Sequence, residues 1–266
     1  MSKPTRKWHS LFEGTVPKDH AFPESNEDKV RICDDEHLYV MSDGASESYN
    51  SALWAEVLVE SACSEPPHSQ FVRWLKRAIA TYEDRSDRKD MSWSQEAAFN
   101  RGSFASLLVV ELLRDHIKLT SIGDTEALLI KNGKISQAFP YKEAHDFQRR
   151  PNLLSTLLSR HNTPYFQQVL RSLVAKKISC SSQSGCKAWW HYPSSSDSLL
   201  LCVTDALAEW LLRKDGSTQA RLNKVIAVRN QEDLTRLVEE ARREDKMRKD
   251  DSSLIILGEE HATSDT

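Results

Sequence analysis

The chemically suggestive residues in this sequence are acids that abut apolar runs. Tyr39-Val40-Met41-Ser42 ends in Asp43-Gly44, Leu119-Thr120-Ser121-Ile122-Gly123 ends in Asp124, and Leu200-Leu201-Cys202-Val203-Thr204 ends in Asp205. Asp250-Asp251 precedes the apolar run Ser253–Leu257, and Asn26-Glu27-Asp28 precedes Lys29-Val30-Arg31-Ile32. Short apolar runs closed by turn residues read as buried strands. Buried strands with acids at their ends gather negative charge at one rim of a sheet. Carboxylates within ~5 Å of one another repel and resist ionisation, a cost that a bound divalent cation removes. Oxygen donors without His or Cys partners select Mg²⁺ or Mn²⁺ over Zn²⁺. Taken singly, an Asp-Gly after a strand is most often a turn, and an Asp-Asp pair after a basic helix end a solvated cap. The repetition of the pattern brings the metal reading level with that plainer one.

Other chemistries fail on spacing. No cysteine has an arginine six positions on, so the phosphate-cradling Cys-x5-Arg loop is absent, and no Asp-x-Asp-x-Thr/Val run exists for an aspartyl-phosphate enzyme. Gly-x-x-x-x-Gly-Lys-Ser/Thr, His-Glu-x-x-His and Gly-x-Ser-x-Gly are also absent. Cys180 and Cys186, near His191, are spaced too widely for a usual zinc pair.

The elements that must position these acids follow from periodicity. After a lead-in strand and loop and the strand ending at Asp43, two amphipathic helices are predicted. One runs through Trp54, Val57, Leu58 and Ser61, the other through Phe71, Trp74, Leu75, Ala78, Ile79 and Tyr82. Arg85 to Met91 reads as a loop. Ser106–Leu113, Ile117–Ile122, Glu126–Lys131 and Lys134–Ala138 read as a β-meander, with Asn132-Gly133 suited to a type I′ turn. Thr163-Pro164 opens a helix through Phe166, Val169, Leu170, Leu173 and Val174. Ile178–Ser198 is Ser-rich and reads as a surface loop. Leu199–Val203 is a buried strand, followed by a helix through Leu207, Trp210 and Leu211 that stops near Asp215-Gly216. A helix through Leu234, Leu237, Val238 and Ala241 precedes the last strand, and the tail from Gly258 is polar and expected to fray. Antiparallel hairpins with helix pairs, without regular βαβ alternation, indicate an α+β chain.

Composition bounds the class. The 266 residues are 39% hydrophobic and 28% charged, which excludes a disordered chain. No stretch approaches the ~20 apolar residues of a membrane span, and Met1 to Ser10 lacks the apolar core of a secretory signal. A net charge of −3 argues against a nucleic-acid binder. Five irregularly spaced cysteines (Cys33, Cys63, Cys180, Cys186, Cys202) suit a reducing compartment better than a disulfide frame, so a cytoplasmic protein is expected.

The ordered motifs resemble the metal-dependent protein phosphatases of the protein phosphatase 2C family, in the form of its divergent bacterial members. Asn26-Glu27-Asp28 resembles the first acidic motif, and Ser42-Asp43-Gly44-Ala45-Ser46-Glu47-Ser48 the second. Arg101-Gly102-Ser103-Phe104-Ala105-Ser106 with Ser121-Ile122-Gly123-Asp124-Thr125 resembles the Gly-Ser-x-Ala and Gly-Asp-Ser pair. Leu201-Cys202-Val203-Thr204-Asp205-Ala206-Leu207 and Asp250-Asp251-Ser252-Ser253-Leu254-Ile255-Ile256 resemble the two closing motifs. Together they span about residues 14–257. The resemblance implies a four-layer α-β-β-α sandwich of two antiparallel sheets flanked by helix pairs. It implies one domain over residues 1–258, with a flap-like region about 140–197 that includes Trp189, Trp190 and His191, and a frayed tail at 259–266.

By the same resemblance, the chain is a serine/threonine protein phosphatase that hydrolyses phosphoserine and phosphothreonine through a hydroxide held between two Mn²⁺ or Mg²⁺ ions. Asp43 would bridge the ions and the Gly44 carbonyl would bind one. Asp205 and Asp250 would complete one site, and Glu27 and Asp28 would act on the other. Asp43, Asp205 and Asp250 form the catalytic set. Asp124 resembles a position linked to a third, weaker ion. Glu209, four residues beyond Asp205 and so on the same helix face, falls where many members place an Asp. The family arginine that holds the phosphate is missing from Ala21-Phe22-Pro23-Glu24-Ser25; Lys18 is the candidate substitute and Arg101 the next. Ala45 stands where some members carry a His, and Ala206 replaces a Gly. The expected partners are a phosphoprotein substrate and a cognate Ser/Thr kinase, with no nucleic acid and no membrane, and the expected state is a monomer. Two other readings stay open. One is a regulatory module on the same fold with little or no catalysis; the other is a different metal hydrolase, such as a nuclease. The basic run Arg242–Lys249 reads as a solvated helix end that also raises the potential near Asp250.

Overall fold

The computed structural model describes residues 8–33, 37–67, 70–87, 91–174, 187–193, 198–244 and 246–259. Cys180, Cys186 and the tail beyond residue 259 lie outside the described residues. Two five-stranded antiparallel sheets form the centre. The first has the order β1 (His9–Val16), β12 (Ser252–Gly258), β11 (Leu199–Val203), β7 (Glu126–Lys131), β8 (Lys134–Phe139). The second has the order β10 (Lys187–His191), β6 (His116–Ile122), β5 (Leu107–Leu112), β3 (Leu38–Ser42), β2 (Lys29–Cys33). A short ladder joins β4 (Phe104–Ala105) to β9 (Leu154–Ser155).

Alternation along each strand builds the layers, because successive side chains leave opposite faces. On β3, Tyr39 and Met41 enter the layer between the sheets, while Val40 faces the helices. On β11, Leu200 and Cys202 point between the sheets, and Leu201 and Val203 point to the other helix layer. Both faces are covered, which is why these strands read as continuous apolar runs. Helices α1 (Ser51–Ser64) and α2 (Phe71–Arg85) bury Trp54, Leu58, Trp74, Leu75 and Tyr82 against the second sheet. On the first sheet, α5 (Asp205–Leu212), α6 (Thr218–Ile226) and α7 (Gln231–Glu244) bury Leu207, Trp210, Leu222, Leu234 and Val238. The result is the expected α+β four-layer sandwich, with a third helix on each side, since Phe166, Val169 and Leu173 of the helix Pro164–Val174 share the core of α1 and α2. Among the described residues no helix is long and apolar enough to cross a membrane.

Four expectations are corrected. The meander is two hairpins in different sheets: β5 pairs with β6, whereas β7 pairs with β8 and β11. The chain changes sheets at Gly123, whose φ of +104° and whose distance to Ser106 leave no room for a Cβ. The loop expected at Ile178–Ser198 contains strand β10, which pairs with β6 in the register Trp189↔Lys118 and His191↔His116. Within this strand Trp190 is buried and Trp189 lies against the His116 ring, so the Trp pair is packed at a sheet edge. Helices α3 (Trp93–Arg101) and α6 form where the sequence predicts none, since neither carries a long apolar stripe. The start of α3 is set by a capping box, in which the Gln95 amide donates to Ser92 Oγ and the Ser92 amide to Gln95 Oε1. Finally, Cys33 at the end of β2 and Cys63 on α1 form a disulfide across 30 residues, with their Cα atoms 5.4 Å apart. The cysteine pattern therefore no longer argues for a reducing compartment. Within the region 140–197, the described residues hold β9, the helix α4 (Pro164–Val174) and β10.

Candidate active site

The antiparallel registers bring the acids to one rim. Lys29 pairs with Ser42, Leu107 with Ile122 and Val203 with Leu254. Residues before β2 and β12 and after β3, β6 and β11 therefore share an end of the sandwich. Asp28 reaches across the two sheets: its Oδ2 accepts from Thr204 Oγ1 at 2.9 Å and from Ser253 Oγ at 2.8 Å. Asp43 is fixed through its backbone, whose amide donates to Ser106 Oγ at 3.0 Å and whose carbonyl accepts from the Ser106 amide at 2.8 Å. The next residue, Gly44, lies so close to the first turn of α1 that a Cβ would stand 2.8 Å from the Ser51 carbonyl oxygen. Glu27 is held by the hydroxyls of Ser46 and Ser51 and by the Lys18 ammonium.

Asp251 organises the loop that carries Lys18 and Glu27. Its carboxylate accepts the Lys18 amide at 2.6 Å and the Glu27 amide at 2.8 Å, and it is almost wholly buried. Asp205 opens α5 and pairs with the Arg248 guanidinium, which also lies 3.4 Å from Asp250. Arg242 donates to the carbonyls of Asp250 and, at 3.0 Å, of Pro17.

The electrostatics are those of crowded, poorly solvated acids. Burial pushes the Asp28 carboxyl well above the usual range, and Asp251 and Asp205 add to the rise against the Ser253 and Thr204 hydrogen bonds. Burial does the same to Asp43, with Asp28, Asp205, Asp124 and Asp250 adding repulsion. Asp124 is pushed up to about 7, first by burial and then by Asp205. Burial and then Asp205 raise Asp250, against the pull of Arg248. Burial also raises Glu126 at the start of β7, whose Oε2 accepts the Tyr141 amide at 3.0 Å. Burial opposes the charge on Lys18, but Glu27 and Asp251 outweigh it and keep the ammonium protonated.

Such a rim suits cations. Asp28 Oδ1 and Asp205 Oδ1 are buried oxygens without a hydrogen-bond partner, and a buried carboxylate oxygen left this way is costly. The donors are all oxygen, the kind that Mg²⁺ and Mn²⁺ take. In kind and charge the residues fit divalent ions. Among the described residues, however, no three His, Cys, Asp or Glu side chains are already arranged around one point; Arg248 and Lys18 engage the acids instead.

No protein-family model matches the sequence, and no curated protein matches it. Solved structures match over nearly the whole chain. The catalytic domain of the serine/threonine protein phosphatase PstP, solved with two manganese ions, superposes with a TM-score of 0.53 at 13% identity, covering 95% of this chain and 97% of that one. The PPM Ser-Thr phosphatase MsPP from Mycobacterium smegmatis, solved with cacodylate, gives 0.52 at 16%, covering 95% and 100%. A bacterial serine phosphatase, solved as a point variant, gives 0.56 at 15%, covering 97% and 99%. The chain has the PPM-type phosphatase fold.

On that fold, the acids expected to act together, Glu27, Asp28, Asp43, Asp124, Asp205 and Asp250, all lie at the rim. Glu209 is on the Asp205 face of α5, but its carboxylate pairs with Arg213 at 3.2 Å. Lys18 is at the rim, paired with Glu27 rather than free. Arg101 ends α3, is exposed, and makes no ion pair or hydrogen bond to the acids among the described residues. Sequence reasoning missed Asp251, the hydroxyls of Thr204, Ser253, Ser46 and Ser51, and Arg248. The run Arg242–Lys249 is not merely a solvated helix end, since Arg242 and Arg248 both turn onto the residues around Asp250. The doubled Asp250-Asp251 was the available signal, because only one member of an adjacent pair can face a given way at the start of a strand.

Proposed function

We propose that this chain is a metal-dependent serine/threonine protein phosphatase, with its active site at the acid rim. The observation that carries the reading is the convergence of carboxylates from both sheets, with buried partnerless oxygens on Asp28 and Asp205, on a phosphatase fold. Asp43 and the Gly44 carbonyl, with Asp205 and Asp250, would hold one Mn²⁺ or Mg²⁺. Asp43 with Glu27 and Asp28 would hold a second, and Asp124 a third, weaker one. Bound there, divalent ions supply Lewis acidity toward a phosphoryl oxygen and activate a water for in-line attack. The chain's own residues supply the frame. Ser106 fixes the Asp43 backbone, Thr204 and Ser253 orient Asp28, and Asp251 holds the loop bearing Lys18 and Glu27.

The phosphoprotein would approach over a groove of about 460 Å³ lined by Lys18, Asp19, Phe22, Ser25 and Lys249. Its two ammonium groups and the exposed Phe22 ring suit a phosphorylated segment with an apolar neighbour. We take the domain to run over residues 1–258, acting as a monomer opposite a Ser/Thr kinase.

The test is hydrolysis of p-nitrophenyl phosphate and of phosphoserine and phosphothreonine peptides, with Mn²⁺, Mg²⁺ or EDTA. Turnover with metal and none with EDTA is expected; turnover indifferent to EDTA would remove the proposal. A second reading, a binding module with weak catalysis, is favoured by one observation: Arg248 and Lys18 already neutralise three of the acids. Peptide binding without turnover at saturating metal would favour it.

A further inference from the structure

Arg248 stands between two acids of the proposed metal site, Asp205 and Asp250. Its guanidinium pairs with Asp205 Oδ2 and lies 3.4 Å from Asp250 Oδ2. The placement is built into the chain. Lys246 adopts a left-handed backbone with φ of +53°, and its carbonyl accepts from Arg213 at 3.2 Å. The next residue, Met247, is buried in the core of the first sheet, and its amide donates to the Ala241 carbonyl at 3.1 Å. With Met247 anchored inward, Arg248 is delivered to the rim. A guanidinium is a rigid fork that can serve two carboxylates at once. Meanwhile Asp205 Oδ1 remains buried with no partner, so Arg248 satisfies only part of that carboxylate.

We propose that Arg248 is an intramolecular counter-ion that competes with the metal for Asp205 and Asp250. The inference rests on the proposed metal-site reading. An ion that takes Asp205 Oδ2 and Asp250 Oδ2 competes with the guanidinium for those oxygens, and one seated on the partnerless Asp205 Oδ1 still meets the positive charge held on the same carboxylate. Arg248 is 42% exposed, so it can swing into solvent without unpacking the core. Whatever stabilises the closed pair is subtracted from the affinity for the ion, since both compete for one state of the acids. Arg248 therefore sets the metal concentration at which the site fills and keeps the acids paired below it. No other cation is paired with both Asp205 and Asp250 among the described residues.

The experiment is calorimetric titration of Mn²⁺ into the full chain, metal-freed with EDTA and dialysed, for wild type, Arg248→Ala and Arg248→Lys. A half-exposed pair of this kind corresponds to about two- to fivefold in affinity. Arg248→Ala is expected to bind Mn²⁺ about two- to fivefold more tightly than wild type, with Arg248→Lys between them. The metal-free Arg248→Ala protein is expected to melt below wild type, and saturating Mn²⁺ to close that gap. Binding by Arg248→Ala where wild type shows none would also support the proposal. If wild type binds Mn²⁺ and Arg248→Ala binds it equally or more weakly, the competition is refuted while the metal site stands. If neither binds, both the inference and the metal-site reading fall. Arg248→Lys keeps the test valid should the alanine variant misfold.

Discussion

Replacing Asp124 by Asn isolates the cost of charge at the rim. Asp124 is 8% exposed, and burial followed by Asp205 lifts its pKa from 3.8 to about 7. The folded protein thus holds a proton on Asp124 that the unfolded chain has already released between those values. Stability is lost as pH rises through that window and does not fall further on this account above it. The full rise corresponds to at most ~4 kcal/mol, at about 1.4 kcal/mol per pH unit. Between pH 5 and pH 8 it amounts to about 2.5 kcal/mol. An Asn of the same shape carries no charge at any pH. Urea unfolding of the metal-free proteins should therefore show Asp124→Asn gaining on wild type by up to about 2.5 kcal/mol from pH 5 to pH 8. In melting temperature that is roughly 5 °C or more for a chain of this size. A gap that does not change with pH, or an Asn variant less stable at pH 8, would refute the burial-and-repulsion account of this carboxyl.

Asp43→Asn should lower metal-dependent phosphatase turnover by ~10³ or more while the metal-free protein stays folded by circular dichroism; near-normal turnover would remove Asp43 from the catalytic set. Asp251→Ala strands the Lys18 and Glu27 amides, each an unpaired donor costing about 1–3 kcal/mol if it stays buried, so denaturant unfolding should show a loss of ~3 kcal/mol; a loss under ~0.5 kcal/mol would mean water takes over both bonds. Lys18→Ala should raise KM for a phosphopeptide more than it lowers kcat, since an ammonium attracts a phosphate dianion similarly in ground and transition states. An unchanged KM would leave Lys18 as the counter-ion of Glu27 alone.

The sequence by itself determined the strands with acids at their ends, the helices α1, α2 and α7, and the Asn132-Gly133 turn. These signals are local. An apolar period of two or 3.6 is written in neighbouring residues, and a turn with positive φ at Asn132 and Gly133 selects its residue types directly. That the acids share one rim was expected from the same pattern, but which end of the sandwich each strand brings its acid to was set by the antiparallel registers. The ligand roles came only with the family resemblance, whose fold the structure bears.

Only the tertiary structure decided how the rim is wired. Asp28 meets Ser253 across 225 residues and Arg248 meets Asp205 across 43. Such meetings depend on how two sheets and their loops pack, and a serine or arginine in a polar run looks the same to periodicity whether it faces solvent or a buried carboxylate. The same holds for the chain's change of sheet at Gly123 and for the Cys33–Cys63 link. A three-residue connection fits a hairpin as well as a crossing, and the choice is made by which strands are free to pair. Glu209 illustrates the limit: helical spacing put it on the Asp205 face, and Arg213, one turn further on, took its charge. Chain-local forces fix which residues reach the rim; long-range packing fixes which of them touch.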